Sequence, residues 1–514
     1  MNADGTQMNA GKRLTVRAMD RDARISHPSH SRLLFSVHLR SICVHLRHCA
    51  LCLLLALTAC AVGPDYKKPE VETPAAYKES GEWIVAKPAD TAPKGKWWEA
   101  FNDPVLNGLV EQVSVSNQSL KAAEARYTQA VAAGELARSA YFPTLGVGAG
   151  ASRNGGGAAG NAVTIGNGGS TTSRRYTVTA TASWEIDLWG RVRRLVEAAR
   201  AEQDATAADV ENTRLSMQAE LATDYFQLRV ADAQITLLED TVKAFQTSYD
   251  MTQNRYRAGV AAKSDVVQAE AQLKSTQAQA IDQRAQRAQL EHAIAVLAGH
   301  APANFAIAPA NVATHLPAVP PGLPSTLLER RPDIAAAERR MAEANARIGA
   351  AQAAYFPTLD LNANGGFASA MIQNLFNAPN RFWSIGATAA ETLLDFGARS
   401  AQVQSAKGAY EEAVANYRQA ALTGFQEVED NLAALRWLAE EAAVEDEAVR
   451  AARESVTLTR NQYKAGTVSF LNVVTVQATQ LSEERTAVNL LSRRLTASVA
   501  LVKALGGSWE PPAP

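Results

Sequence analysis

Few side chains in this 514-residue sequence are of types that do covalent or acid–base chemistry, and their positions narrow what that chemistry is. All four cysteines (Cys43, Cys49, Cys52 and Cys60) fall within the first sixty residues, so no thiol beyond Cys60 is available for a disulfide, a metal or a nucleophile. Past Cys60 there are three histidines: His292 in a helical run, His300 just after Gly299, and His315 in a proline-rich stretch. They form no His-x-x-x-His pair and no Ser-His-Asp order, so neither metal ligation nor nucleophilic catalysis is expected. The glycine-rich stretch 153–175 (RNGGGAAGNAVTIGNGGSTTSRR) has no Gly-Lys-Ser/Thr after it and no buried strand before it, which excludes a phosphate cradle and leaves a flexible loop. Charge is close to balanced, with 51 Lys and Arg against 52 Asp and Glu, so there is no basic field to attract nucleic acid. An enzyme is not expected, and the sequence assigns no cofactor and no metal.

One thiol has a specific expected chemistry. Residues 49–59 (CALCLLLALTA) are an apolar run of eleven, preceded by Arg40 and Arg47, too short to span a bilayer and ordered as a secretory signal is. The run ends in Leu57-Thr58-Ala59-Cys60, which resembles a lipobox, where a bacterial lipoprotein is lipidated on sulfur and cleaved. Cys60 is then the first residue of the mature chain, its thiol consumed by lipid. Ala61 follows it, not the Asp that tends to hold lipoproteins at the inner membrane, so the outer membrane is the expected destination. Residues 1–59 are set aside as a removed leader. That leader exceeds the usual length and no Met lies between Met19 and Met217, which leaves open a long leader or a non-Met start nearer Arg40.

The elements that position these groups come in two copies. Tyr141-Phe142-Pro143-Thr144-Leu145 recurs 214 residues later as Tyr355-Phe356-Pro357-Thr358-Leu359. Arg255-Tyr256-Arg257-Ala258-Gly259-Val260 matches Gln462-Tyr463-Lys464-Ala465-Gly466-Thr467 at an offset of 207, and Asp187-Leu188-Trp189-Gly190 aligns with Asp395-Phe396-Gly397. Each half predicts a helix, two strands, a long helix, a tight turn and a helix. The period is far longer than a solenoid unit, so this is a duplicated half-protein.

The strands alternate with period two. Tyr176, Val178, Ala180, Ala182 and Trp184 interleave with Thr177, Thr179, Thr181 and Ser183; Trp383, Ile385, Ala387 and Ala389 interleave with Ser384, Gly386, Thr388 and Ala390. Their partners are Leu145, Val147, Ala149 and Ala151 against Gly and Ser, and Leu359, Leu361 and Ala363 against Asp360, Asn362 and Asn364. A half-buried soluble sheet and a membrane barrel strand both alternate in this way. Aromatics decide between them: Tyr141, Phe142, Trp184, Trp189, Tyr355, Phe356 and Phe396 cluster where strands meet helices, with Tyr176, Phe382 and Trp383 toward the other ends, as an interfacial belt requires. Four strands cannot close a barrel, and an open edge cannot face lipid, so the barrel must be shared between copies.

The helices are long. From Arg191 to Ala258 there is neither Pro nor Gly, a run of roughly 100 Å at helical rise, and Arg399 to Ala465 is comparable, with only Gly408 and Gly424 inside. Apolar residues recur at three- and four-residue steps (Leu215, Leu221, Tyr225, Phe226, Leu228), and each long helix turns back at Ala-Gly into a second helix. The expected organisation is a removed leader 1–59, a lipidated extended segment 60–103, and a first repeat 104–300 with a strand pair at about 144–185 and a hairpin 191–298. A Pro-rich linker 301–324 follows, then a second repeat 325–507 with strands at about 357–394 and a hairpin 398–505, and a tail 508–514.

From Cys60 to about Gly507 the sequence resembles the TolC-like outer-membrane factor family, in particular its lipoprotein branch (NodT-like) that serves resistance–nodulation–division efflux pumps. The carriers are Val62-Gly63-Pro64-Asp65-Tyr66, Trp97-Trp98-Glu99-Ala100-Phe101 with Asp103-Pro104, both Tyr-Phe-Pro-Thr-Leu segments, Arg330-Arg331-Pro332-Asp333-Ile334 and the paired Tyr-x-Ala-Gly turns. The resemblance implies a mostly α fold with a small β part. Three chains would supply a 12-stranded outer-membrane β-barrel, four strands each, continuous with a periplasmic 12-helix α-barrel and a mixed equatorial belt. Implied partners are two further copies, a periplasmic adaptor, an inner-membrane pump and outer-membrane lipid. The implied function is a passive exit duct for drugs, solvents or metal ions; a type I protein-secretion duct and a structural coiled-coil lipoprotein are the alternatives.

The resemblance also assigns roles at the hairpin turns. A Tyr near the second turn is expected to link to an Asp near the first, here Tyr463 and Asp265, so that Asp265→Ala or Tyr463→Phe loosens the closed state. Arg257, Gly259, Val260, Lys464, Gly466 and Thr467 are expected to dock the adaptor. Relatives with an acidic ring after the second turn place it where this sequence has Asn472 and Thr475, both uncharged, so cation selectivity does not carry over.

Overall fold

Prolines, glycines and capping side chains set the element boundaries. The computed structural model describes residues 61–69, 73–74, 77–78, 96–156, 171–312, 316–317 and 330–507, all within the unit Ala61–Pro514. The expected leader 1–59, Cys60, the centre of the glycine-rich loop, His315, part of the expected 301–324 linker and the tail 508–514 lie outside the described residues.

Helix α1 (Pro104–Ser116) starts where the Asp103 carboxylate accepts hydrogen bonds from the Val105 and Leu106 amides, with Pro104 in the first turn. One helix is predicted upstream of the first strand pair, but there are two. Asn117 adopts an extended backbone and its side chain accepts from the Leu120 amide at 2.9 Å, ending α1 and capping α2 (Gln118–Ser139). Asn competes with the helix ladder through its own side chain, which is the reason for the break.

The strands β1 (Thr144–Gly156), β2 (Thr171–Glu185), β3 (Thr358–Ser369) and β4 (Arg381–Ala390) form one antiparallel sheet in the order β1-β2-β3-β4. Pairing sets Leu145 opposite Ala182, Val147 opposite Ala180, Trp184 opposite Leu361, and Ala363 opposite Ile385, all on one side. The other side holds Thr144 with Ser183, Gly148 with Thr179, Ser183 with Asn362 and Asn364 with Ser384. The apolar side is bare: Leu145, Val147, Trp383 and Ile385 are 81%, 83%, 73% and 78% exposed.

Two 67-residue helices, α3 (Arg191–Arg257) and α6 (Ala398–Lys464), run on from the sheet, each about 100 Å long. Each starts after a glycine with positive φ, Gly190 or Gly397, where Asp187 or Asp395 accepts from the first amides. Each returns through a 35-residue helix, α4 (Lys263–Leu297) or α7 (Phe470–Ala504). Among the described residues no helix is long and apolar enough to cross a membrane.

The return helices stop halfway, and a second helix continues each column. The end of α4 abuts the start of α2, where Asn117 Nδ2 donates to the Leu297 carbonyl at 2.9 Å. The end of α7 abuts α5 (Pro332–Ala353), where Arg331 Nη1 donates to the Ala504 carbonyl at 3.0 Å. The last carbonyls of a helix lack intrahelical donors, and here a side chain from the next segment supplies one in both halves. Each half is thus one continuous column beside one two-piece column. The chain presents four columns at every level: α2, α3, α5 and α6 near the sheet, and α4, α3, α7 and α6 beyond.

The main core lies at the junction level. Trp98, Phe101, Leu106 and Val110 pack on Leu221, Tyr225 and Phe226 of α3 with Ile294 and Leu495. The second half has a smaller counterpart, with Tyr77 against Phe425, Val428 and Leu501. An ion network ties the residues after α4 to this level. Arg229 and Asp232 are paired at 3.1 Å with side chains 3% and 5% exposed, and Arg287 reaches Asp232 at 2.7 Å. Arg229 donates to the Ala308 carbonyl at 2.7 Å and Arg287 to the Ile307 carbonyl at 2.6 Å. Asp232→Ala leaves the buried Arg229 guanidinium without an acidic partner and Arg287 with only Glu291 at 3.2 Å, and is expected to cost about 3 kcal/mol. The expected readout is a lower melting temperature in detergent and new protease cuts at 302–312; Lys243→Ala, at an exposed pair, is expected to leave both unchanged.

Candidate gate and docking surface at the hairpin turns

The two turns are built alike. Gly259 and Gly466 sit at φ 76° and 79°, with open space where a β-carbon would stand, so only the left-handed backbone demands glycine. Val260 N donates to the Arg255 carbonyl at 2.9 Å, and Thr467 N to the Gln462 carbonyl at 3.0 Å, closing each helix end. Arg257, Gly259, Val260, Lys464, Gly466 and Thr467 are all exposed, a shared surface at one end of the bundle. Asn472 and Thr475 are exposed on the first turns of α7, and the Thr475 hydroxyl is spent on the Leu471 carbonyl at 2.9 Å.

Within one chain the structure does not bring Tyr463 and Asp265 together. Tyr463 is only 4% exposed, in a small core with Ala269, Phe470 and Val473, and its ring lies 5.5 Å from that of Phe470. Its hydroxyl is buried and has no hydrogen-bond partner among the described residues. Asp265 is partly exposed in the first turn of α4, where its charge favours the helix N-terminus. The partner that sequence reasoning missed is Arg255. Its guanidinium lies over the Tyr463 ring at 4.6 Å, and Nη1 donates to the Tyr463 carbonyl at 3.2 Å, joining α3 to α6. The one available signal is the departure between halves, Arg255 standing where the second copy has Gln462. The duplicated Tyr256 differs from Tyr463 in being 43% exposed, with Lys263 Nζ at 5.6 Å from its ring.

At the sheet end of the bundle the segment Ala61–Tyr66 is stitched in place. Val62 N donates to the Trp189 carbonyl at 3.0 Å, Arg194 reaches Asp65 at 2.8 Å, and Asn345 Nδ2 donates to the Pro64 carbonyl at 3.0 Å. Gly63 and Gly349 touch so closely that a β-carbon on the first would lie 2.3 Å from the second's Cα. The Tyr66 hydroxyl donates to Glu338 at 2.5 Å, and burial, then that carboxylate, hold its phenol well above the usual tyrosine range. Ala61 lies on Gly190, 3.0 Å from where its β-carbon would be, at the level where sheet meets helices.

A family model described as outer membrane efflux protein matches residues 109–300 and 323–507, one match for each half. The probable efflux pump outer membrane protein TtgC of Pseudomonas putida is 31% identical over 464 residues, covering 89% of this chain and 95% of its own. The cation efflux system protein CusC of Escherichia coli O6:H1 is 28% identical over 463 residues, covering 89% and 98%. Among solved structures, the outer-membrane channel OprN superposes with a TM-score of 0.81 at 31% identity, covering 88% of this chain and all of its own.

The geometry at the turns makes a prediction that separates ring from hydroxyl. Arg255→Ala removes a cation–π contact worth about 1–2 kcal/mol and is expected to raise the open fraction of single channels in planar bilayers by roughly tenfold. Tyr463→Phe keeps the ring and is expected to leave that fraction near wild type; the reverse order would show that the hydroxyl carries the closure.

Proposed function

The chain belongs to the outer membrane efflux protein family, and on that premise we propose that three copies form a passive exit duct for small molecules delivered by an inner-membrane pump through a periplasmic adaptor. It is a channel component and performs no chemistry on its cargo. One observation carries the reading: a four-stranded sheet with two unpaired edge strands and a bare apolar face. Such a sheet is stable in lipid only if copies of it close a barrel. Three sheets make twelve strands, a number at which a barrel encloses an open lumen, lined here by the Thr, Ser, Asn and Gly side.

Four helical columns per chain, in three copies, give twelve around a periplasmic tunnel on the same axis. Cargo is proposed to be drugs, solvents or metal ions. With Asn472 and Thr475 at the constriction, the duct has no fixed carboxylate ring there to favour cations. The exposed turn residues, among them Arg257, Val260, Lys464 and Thr467, are the proposed adaptor-docking surface.

We further propose lipidation at Cys60. The path of Ala61 to Tyr66 along the start of α3 and back down α5 from Gly349 to Glu338 supports it, because it brings the mature N-terminus to the junction of sheet and helices, the height of the inner leaflet. Anchor and barrel then engage the same membrane without strain.

Mature protein in mild detergent is expected to be trimeric by native mass spectrometry and to give discrete conductance steps in planar bilayers. A monomer that is electrically silent would overturn the duct. Separately, Cys60→Ser is expected to abolish labelling by palmitate in cells while leaving the conductance of the purified trimer unchanged; labelling that persists would refute the anchor.

A further inference from the structure

Charge is sorted along the sheet. Its carboxylates, Glu185 and Asp360, face each other at the helix end, where Arg191 binds Glu185 at 2.9 Å. From there to the opposite ends, 144–156, 171–184 and 361–390 contain no acid, and the strands' basic residues, Arg153, Arg174, Arg175 and Arg381, stand toward the far end. Since the helices extend into the periplasm, that far end is the cell-surface side.

Three of these arginines are on the lipid-facing side. Arg153 and Arg174 are direct partners in register, in step with Leu145, Val147 and Val178, and Arg381 pairs with Phe367 on the same side. All three are exposed, and none has an acidic partner among the described residues. Like charges directly opposite on a sheet repel with β-carbons about 5 Å apart, so the Arg153–Arg174 pair lacks the counter-charge that would stabilise it. An arginine on the lipid face of a barrel is costly unless it reaches a headgroup.

Beside Arg381 the apolar face is hollowed. Gly365 stands opposite Trp383 in a depression of about 620 Å³ bordered by Val178, Phe367, Phe376 and Trp383, with Arg381 its one charged lining residue. Phe376, from the β3–β4 connection, meets Phe367 edge-on at 5.5 Å and walls the depression. β1 and β4 are the edge strands, so closing the barrel sets β4 of one copy beside β1 of the next. Arg381 and an Arg153–Arg174 pair then border one seam.

We propose that each seam binds a phosphorylated, multiply acylated glycolipid of the outer leaflet, of the lipid A type. An acyl chain fills the Gly365 hollow, and the phosphates receive charge-assisted hydrogen bonds from Arg381 and the Arg153–Arg174 pair. A free phosphate would account for the arginines and leave the aromatic-walled hollow without a role; a neutral lipid would fill the hollow and leave the arginines unpaired. The lipid relieves the like-charge contact and spans two copies, so it adds to the cohesion of the barrel. This rests on the duct reading.

The test is native mass spectrometry of delipidated protein titrated with diphosphorylated lipid A or its dephosphorylated form, with inorganic phosphate as competitor. Wild type is expected to prefer the diphosphorylated lipid by about tenfold, and phosphate is expected not to displace it. The triple variant Arg153→Gln, Arg174→Gln, Arg381→Gln is expected to lose the preference, and the Arg→Lys triple to keep most of it. Trimeric, conducting wild type with no preference overturns the inference alone, as does a Gln triple that retains the preference. Protein that neither trimerises nor conducts overturns the duct reading with it.

Discussion

A strand at the edge of a sheet carries a row of amide and carbonyl groups that water satisfies and hydrocarbon does not. Here that constraint falls on β1 and β4, the edges of a sheet whose apolar face is bare. Neither feature suits a lone chain, and both are met when identical chains join edge to edge. The helices answer to the same symmetry. Their columns make a single layer with little interior of its own, and neighbours must cover the faces left open. The barrel in lipid and the bundle beyond it therefore impose the same stoichiometry, since four strands and four columns come from each copy.

Duplication explains how one chain keeps two different walls in register. Each half turns a 67-residue helix back through a 35-residue one, and each completes the returning column with a separate helix. The seams are sealed by different chemistry at equivalent places, Asn117 on the Leu297 carbonyl and Arg331 on the Ala504 carbonyl. Both reach a helix end whose carbonyls need donors, so the duplicated backbone geometry is what persists. The halves differ where the chain adds to them. α1 and Trp98 fill the first core, whereas Tyr77 from the N-terminal segment fills the second.

Much of the architecture was legible because its determinants are local. Two-residue alternation in the strands and the scarcity of Pro and Gly in the long runs are properties of neighbouring residues, and the repeats fixed their order. The motifs around Val62, Trp97 and Arg331 were visible as words, but their meaning is spatial. Gly63 is glycine because Gly349 touches it, 286 positions away, and nothing in either neighbourhood says so. The break at Asn117 was missed because an asparagine inside a polar helix looks like any surface residue until its side chain is seen to cap the next turn. At the turns the tie expected between Tyr463 and Asp265 is not formed within the chain. Tyr463 meets Arg255, 208 residues away on the other long helix, and Asp265 stays at its own helix end.

That substitution matters for how such a duct can be both firm and able to open. At mid-height, Arg229, Asp232 and Arg287 form a buried, multiply bonded network whose members cannot separate without stranding charge. At the turns, the link between α3 and α6 within the chain is a guanidinium on an aromatic face plus one backbone hydrogen bond, in a small core with two buried polar atoms, Arg255 Nε and the Tyr463 hydroxyl, left unpaired. An unpaired buried polar atom is a cost that the closed arrangement bears and that exposure to water would remove. In the proposed gate, the contact that holds the turns together is thus weaker than the network that holds the belt. On the proposed docking surface, a partner needs to supply only a few kcal/mol to move the turns apart, and the stiffness of the belt confines that movement to the far end of the bundle.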